Sequence, residues 1–249
     1  MSGLPAGTTL PVPVSAVLTD VEGTTSAIAF VKEVLFPFAE RSLDSFLDAK
    51  DGDPEVAACL SAVRQAAEPG EEPRAALRRW MAADSKIGPL KTLQGLIWQA
   101  GYASGEITGH LWPDVAPCLR AWARAGIALN VYSSGSVAAQ KLIFGHSVAG
   151  DLTGLFSGFF DTAIGGKRET ASYAAIAERL HRPPGEILFL SDVAEELDAA
   201  KGAGYATCQL VRPEDGTVAS GRHLQAADFP GVASVFGLPV PRLSQGEAA

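Results

Sequence analysis

"SAVLTDVEGTTS", Ser15 to Ser26, is the stretch whose reading decides the fold. A short, mostly apolar run, Ala16-Val17-Leu18-Thr19, leads into Asp20; a second acid follows at Glu22, and then Gly23, Thr24 and Thr25. Apolar runs of this length read as buried strands, and the polar, Gly-containing segment behind them reads as the turn that ends one. A strand that ends by presenting two carboxylates at the edge of a core needs a chemical reason.

Working outward, Ile28 to Phe46 keeps a near-helical apolar spacing at Val31, Leu35, Phe38 and Leu43, with a kink or break expected at Pro37. Pro54 to Tyr102 is helix-like throughout, punctuated at Glu68-Pro69-Gly70 and Gly88-Pro89. The pattern changes after Trp112-Pro113. Asp114 to Ala125 reads as a helix, "IALNVYSS" as a strand and Ser136 to Phe144 as a helix. "GFFDTAIGG" reads as a strand and Gly-rich loop, Glu169 to Leu180 as a helix and "EILFLSD" as a buried strand. Ala194 to Ala203 is again helical, and "YATCQLV" is a further strand. Strands alternating with helices at this spacing imply βαβ units and a parallel, doubly wound α/β sheet, with a helical block inserted after its first strand.

Composition removes whole classes of function. The chain has 249 residues, 47% of them hydrophobic and 19% charged, which suits an ordinary globular protein with a large core. Its formal charge of −8 argues against nucleic acid as a partner, because phosphate neutralisation needs clustered cations. No apolar run approaches membrane-spanning length and the first residues lack a basic leader region, so a cytoplasmic protein with no membrane partner is expected. Cys59, Cys118 and Cys208, and likewise His110, His146, His181 and His223, are too scattered to suggest disulfides or a zinc site.

In open α/β sheets the ligand crevice lies outside the carboxyl ends of the strands. The residues at those ends are Asp20 with Glu22, then Ser133-Ser134-Gly135, then Asp192 with Glu195 and Glu196; Gly165-Gly166-Lys167-Arg168 supplies a loop lysine between the second and third clusters. Asp20 and Asp192 can share Mg²⁺, which takes one or two carboxylates and completes its shell with water and substrate phosphate. Asp20 can then act as the nucleophile on phosphorus. Ser133 and neighbouring backbone N–H groups can bind phosphate oxygens, and Lys167 can offset the shared charge. Each feature has a bland reading as a helix cap, turn former or solvated lysine. Their joint occurrence, each after a β-rich run, does not. The Walker pattern fails, since Arg168 follows Lys167 and position 161 is Asp, and Gly202 with Gly204 precede a strand, the wrong context for a dinucleotide turn.

These ordered residues resemble the four motifs of the haloacid-dehalogenase-like phosphatases: Asp20 to Thr24, Ser133-Ser134-Gly135, Lys167, and Asp192 with Glu196. A narrower resemblance, to the enolase-phosphatase branch, is carried by "DVEGTTSAIAFVKEVLFPFA", "LKTLQGLIWQAGY", "VYSSGSVAAQKLIFGHS", "FDTAIGGK" and "ILFLSDVAEELDAA". It implies a haloacid-dehalogenase-like Rossmannoid core over residues 14–26 and 109–240, a helical cap over 27–108, and termini at 1–13 and 241–249. It also implies a Mg²⁺-dependent enzyme of methionine salvage that enolises and then dephosphorylates 2,3-diketo-5-methylthiopentyl-1-phosphate, giving acireductone. The expected partner is thus a small phosphorylated diketone, and the expected state a monomer.

The resemblance gives Asp20, Glu22, Lys167 and Glu196 catalytic roles, and Asp20, Glu22 and Asp192 the metal. Ser133, Ser134, Gly135 and Lys167 take the substrate's phosphate, and Lys91, Gln94 and Trp98 are candidates to line the substrate chamber from the cap, with ordinary helix packing the competing reading for Trp98. Glu22 stands where most of the superfamily carries Asp, so it is expected to serve the metal mainly through its backbone carbonyl. A sugar-phosphate phosphatase or phosphomutase, a phosphoacceptor signalling domain and a catalytically inactive binding protein are the rival readings.

Overall fold

The computed structural model describes residues 13–241, so most of the expected terminal segments, 1–13 and 241–249, lie outside the described residues. The chain divides into two compact units. One gathers the residues up to Ser26, Leu111–Gln140 and those from Leu152 onward; the other is Ala27–His110 with Lys141–Asp151.

The first unit is built on six parallel strands: β1 (Ala16–Thr19), β2 (Ala128–Tyr132), β3 (Phe156–Phe160), β4 (Ile187–Ser191), β5 (Ala206–Leu210) and β6 (Leu224–Ala226). Their order is β3-β2-β1-β4-β5-β6, a doubly wound sheet. The winding reverses beside β1, where the chain leaves β3 and returns as β4. β6 is absent from the sequence reading. It is three residues long with Leu224 and Gln225 exposed, so it offers no apolar alternation to detect.

Among the described residues four of the α-helices belong wholly to this unit, together with the start of one that continues into the second. To number them with the helical unit, α1 is Ile28–Phe30, α2 Phe36–Ala49, α3 Pro54–Ala66, α4 Pro73–Ala82 and α5 Gly88–Ser104. Then come α6 (Val115–Arg124), α7 (Val137–Gly145), α8 (Thr170–Leu180), α9 (Ala194–Gly202) and α10 (Phe229–Phe236). The strands β1 and β4 are buried at every position because helices cover both faces, which is why they read as continuous apolar runs rather than alternating ones. On one face Ala16, Leu18, Ile187 and Phe189 form a core cluster with Tyr173 and Ile176 of α8 and Leu197 of α9. On the other, Trp122 of α6 stacks on Phe229 of α10 with ring centroids 5.4 Å apart. Each such fully buried apolar side chain contributes on the order of 1.5–3 kcal/mol.

The second unit holds α1 to α5. Between α1 and α2 the chain does not break: Val31–Leu35 runs as a π-helical turn straight into Phe36. Pro37 has no N–H to give the carbonyl four residues back, at Glu33, and a wider turn accommodates that missing bond without ending the helix. Gly88-Pro89, read as a break, is the start of α5, with proline in its first turn. Lys141–Asp151, which the sequence reading places with the α/β core, falls in this unit; Ser147 bridges to Gly109, and the Gly109 N–H donates to the His146 carbonyl at 2.7 Å. No described helix is long and apolar enough to cross a membrane.

Two glycines of α5 give a paired prediction. A Cβ on Gly101 would overlap the Phe38 ring of α2 and the Ile107 methyl, whereas one on Gly95 would meet nothing within 4 Å. Alanine gains about 1 kcal/mol of helix propensity at either position, but overpacking a filled site costs about 1–3 kcal/mol. Urea unfolding should therefore show Gly95→Ala more stable than the parent and Gly101→Ala less stable. An equal gain at both positions would contradict this packing.

Candidate active site

The register sets the site. Thr19 of β1 lies opposite Val131 of β2 and Leu190 of β4, so Asp20, Ser133 and Asp192 leave three adjacent strands at nearly the same level, beside the point where the winding reverses. Neighbouring strands stand about 4.8 Å apart, close enough for one small ligand to touch all three ends. The Asp20 N–H still pairs with the Leu190 carbonyl at 2.9 Å, which fixes the aspartate's backbone to β4.

Lys167 joins this edge from the loop after β3. Its Nζ lies 2.7 Å from Asp20 Oδ1 and 2.7 Å from Glu196 Oε2, and all three side chains are nearly excluded from solvent. Burial alone would lower the lysine's pKa; the two carboxylates, Asp20 first, outweigh it and hold the ammonium above its ordinary range. Burial, and then the Asp20 charge, push the Glu196 carboxyl upward, opposed by Lys167 and by the hydrogen bond from Ser191 Oγ at 2.9 Å. The loop that delivers Lys167 is tied down at three carbonyls. Tyr132 Oη donates to Gly165 O at 2.8 Å, Ser172 Oγ to Gly166 O at 2.8 Å and Tyr173 Oη to Lys167 O at 2.6 Å. The carbonyl of buried Tyr173 in turn accepts from Tyr205 Oη at 2.8 Å. A charged pair is thereby set at one height by a ladder of tyrosines.

Around Asp20 the turn is equally constrained. The Val21 N–H donates to Asp20 Oδ1 at 2.7 Å, and the hydroxyls of Thr19 and Thr25 donate to the Asp20 carbonyl at 3.0 and 3.2 Å. Gly23 has φ +76°, and a Cβ there would overlap the Asp192 carboxylate, so only glycine fits the close approach of turn and acid. The Asp192 N–H donates to Thr24 Oγ1 at 3.1 Å.

The Asp192 carboxyl is pushed up to about 7, by burial first and by the charge of Asp20 second, and its Oδ1 is buried with no hydrogen-bond partner. A buried, unpartnered carboxylate oxygen facing a second carboxylate is the donor set a hard cation satisfies. Among the described residues no three His, Cys, Asp or Glu side chains converge on one point. A cation here would therefore rest on the Asp20 and Asp192 carboxylates with backbone oxygen and water. Glu22 is half-buried and pairs through its backbone with Ser26.

Ser133 is buried at the end of β2, its N–H on the Phe160 carbonyl at 3.2 Å and its Oγ accepting the Gly135 N–H at 3.2 Å, while Ser134 is exposed. Gln140 fastens this turn: its Nε2 donates to both Gly135 O and Phe160 O at 2.8 Å. Asp161 accepts the Val137 N–H at 3.1 Å at the head of α7. Sequence reading did not single out Gln140, Asp161 or the tyrosines. A glutamine one turn into an amphipathic helix and an acid after a strand carry no spacing signal of their own.

Lys91, Gln94 and Trp98 all lie on α5 in the helical unit. Lys91 is exposed and Gln94 buried. Trp98 donates its indole N–H to the Leu35 carbonyl at 2.8 Å and stacks on Phe36, centroids 6.2 Å apart, so its polar edge is already used inside that unit. The three cysteines are buried free thiols.

A strand-end aspartate salt-bridged to a loop lysine, a serine turn and a second acid on adjacent parallel strands define a class, and the chain belongs to it: a model of the haloacid dehalogenase-like hydrolases matches residues 14–204. Within that class the similarity is specific. Enolase-phosphatase E1 of Gluconacetobacter diazotrophicus is 52% identical over 227 residues, covering 91% of this chain and 96% of its own. Enolase-phosphatase E1 of Granulibacter bethesdensis is 54% identical over 230 residues, covering 92% and 99%. Among solved structures, the UTR4 protein of Saccharomyces cerevisiae is 35% identical with a TM-score of 0.74, over 86% of this chain and 98% of that one. CbbY of Rhodobacter sphaeroides, 20% identical with a TM-score of 0.55, shares the fold.

Proposed function

We propose that the protein is a Mg²⁺-dependent enolase-phosphatase that converts 2,3-diketo-5-methylthiopentyl-1-phosphate to acireductone and phosphate, in the manner its enolase-phosphatase E1 relatives' name describes. The observation that carries the phosphatase half is the Asp20–Lys167–Glu196 cluster at 2.7 Å spacings. A carboxylate paired with a buried cation beside a phosphate-binding turn is suited to in-line attack on phosphorus.

In this reading Asp20 attacks phosphorus, the bond to the substrate oxygen breaks, and the electron pair leaves on the enolised product. Water then hydrolyses the aspartyl-phosphate and returns Asp20. Ser133 and the backbone N–H groups of its turn hold the non-bridging oxygens, as a donor set fixed in advance by Gln140. Lys167 balances the charge that builds between Asp20 and the phosphoryl group, and Glu196 holds the lysine in place. Mg²⁺, held by Asp20, Asp192 and the Glu22 carbonyl, would screen the approach of two anions and polarise the phosphoryl oxygen. The leaving group is an enolate rather than an alkoxide, so the preceding proton loss from the phosphate-bearing carbon eases the second step.

The enolase half is tested by separating the two steps. Asp20→Glu keeps a carboxylate but misplaces the nucleophile by one methylene; it should exchange the proton on the phosphate-bearing carbon for deuterium in heavy water, followed by NMR, while releasing no phosphate. Binding of substrate without exchange would sink separability. Glu22→Gln in the same assay decides whether that side chain is the base: exchange at the parent rate removes it from the role.

A further inference from the structure

The loop that follows β5 carries none of the motif residues, yet two side chains from it and from the strand's end reach into the turn that presents the acids. Arg212 is buried at 4% exposure. Its Nε donates to the Thr24 carbonyl at 3.1 Å, and its two terminal nitrogens form a fork on Asp114, at 3.1 and 2.9 Å, so that the guanidinium is neutralised without the help of any site carboxylate. The plane lies 4.9 Å from the Trp112 ring centroid and 6.0 Å from that of Phe229, and Asp114 also accepts the Phe229 N–H at 2.9 Å. Gln209, buried at the end of β5, donates Nε2 to the Asp192 carbonyl at 2.9 Å and to the Val218 carbonyl at 3.1 Å, while its Oε1 accepts the Ser220 N–H at 2.9 Å.

These bonds meet at Asp192. Its N–H is held by Thr24 Oγ1, its C=O by Gln209, and Thr24 in turn by Arg212. On a third side the carboxylate abuts Gly23, where no Cβ fits. The peptide unit of the second acid is thus fixed from both ends by groups that touch no reacting atom, and its carboxylate cannot drift toward the turn. Metal sites are sensitive to displacements of a few tenths of an ångström, and partners that orient the ligands are worth about 10–100-fold in affinity.

We propose that Arg212 and Gln209 are positioning residues that clamp Thr24 and Asp192, and so set the affinity of the site for its divalent cation. The inference rests on the reading of Asp192 as a metal ligand. Arginine is required rather than any cation, because the task is three directed N–H bonds at once: one to a carbonyl and two to a carboxylate. A lysine ammonium on a flexible stem can serve Asp114 as a charge but cannot hold Thr24 in the same geometry. Gln209 is likewise chosen for carrying a donor pair and an acceptor on one planar head, which lets it join the Asp192 carbonyl to the 218–220 loop.

The test is Mg²⁺ binding followed by calorimetry on the parent and on three variants, with circular dichroism as a check on folding. Arg212→Lys keeps the charge beside Asp114, so the fold is retained. Gln209→Leu keeps the volume. Arg222→Ala is the control: Arg222 also serves two carboxylates, Glu195 and Asp198, but on the exposed surface, away from Thr24 and the Asp192 carbonyl. Arg212→Lys and Gln209→Leu should each weaken Mg²⁺ binding by about 10–100-fold, and Arg222→Ala should leave it unchanged. Phosphate release by the two weakened variants should then recover toward the parent kcat at saturating Mg²⁺, a split that loss of folded protein does not produce. If the parent binds Mg²⁺ and both variants bind it equally well, the clamp is refuted while the metal reading stands. If the parent itself binds no divalent cation, both are refuted.

Discussion

Asp20→Asn should fold as the parent does and release phosphate at a rate lower by about 10⁴-fold or more, the scale on which enzymes lose turnover when a covalent nucleophile is removed. The substitution preserves volume, and the amide can still accept the Val21 N–H that now goes to Oδ1 at 2.7 Å. It cannot attack phosphorus as an anion, and it is a poor ligand for Mg²⁺. One local consequence follows for stability. Lys167 loses one of its two carboxylates but keeps Glu196, so its charge remains paired and unfolding by urea should shift only modestly. Initial rates of phosphate release, with dichroism to show the fold, check both halves. A variant that retains activity within tenfold of the parent would remove Asp20 from the mechanism.

Lys167→Met should be the more damaging substitution overall, because it harms stability and chemistry together. It deletes the cation lying between Asp20 and Glu196 and leaves two buried carboxylates facing one another. Removing one partner of a buried ion pair costs about 3–5 kcal/mol, and loss of a charge-stabilising donor costs about 10²–10³ in rate. The deficit has a defined dependence on pH. Burial and the Asp20 charge already raise the Glu196 pKa, and Lys167 is among the groups that oppose the rise. A carboxyl whose folded pKa lies above its unfolded value favours folding while protonated, and that contribution is lost as pH rises through the folded value. Without Lys167 the folded value moves further up, so the stability lost relative to the parent should be smaller at pH 5 than at pH 8. Urea titrations at the two pH values measure it; a deficit independent of pH would mean that Glu196 does not feel the lysine as the 2.7 Å contact requires.

Much of this architecture is legible in the sequence, for physical reasons that also mark where legibility ends. β1, β2, β4 and β5 are apolar runs because helices bury both their faces, and their carboxyl ends carry Asp20, Ser133 and Asp192 because a doubly wound sheet gathers its ligands there. Lys167 is legible as a loop lysine after a Gly-Gly pair, and the ion pairs with Asp20 and Glu196 join that lysine to the end of β1 and the first turn of α9. β6 escapes because three edge residues, two of them exposed, have no period. The π-helical turn at Val31–Leu35 escapes because a proline inside an apolar-periodic stretch reads equally as a kink, a break or a widened turn. Arg212 and Gln209 escape for a different reason: each meets the acid-bearing turns at a backbone carbonyl, of Thr24 and of Asp192, and backbone partners leave no pattern in the sequence.

The narrow functional reading depends on two reactions occurring in one site, which no arrangement of Asp20, Lys167 and Asp192 alone distinguishes from simple phosphate-ester hydrolysis. The direct measurement supplies 2,3-diketo-5-methylthiopentyl-1-phosphate with Mg²⁺ and follows the enediol product by its absorbance and inorganic phosphate in the same sample. Acireductone and phosphate are expected in equal amounts, with neither formed after chelation of the metal and both restored by Mg²⁺. Phosphate released with the carbon skeleton left as the unenolised diketone alcohol, or no turnover of this substrate alongside rapid hydrolysis of sugar phosphates, would contradict that reading.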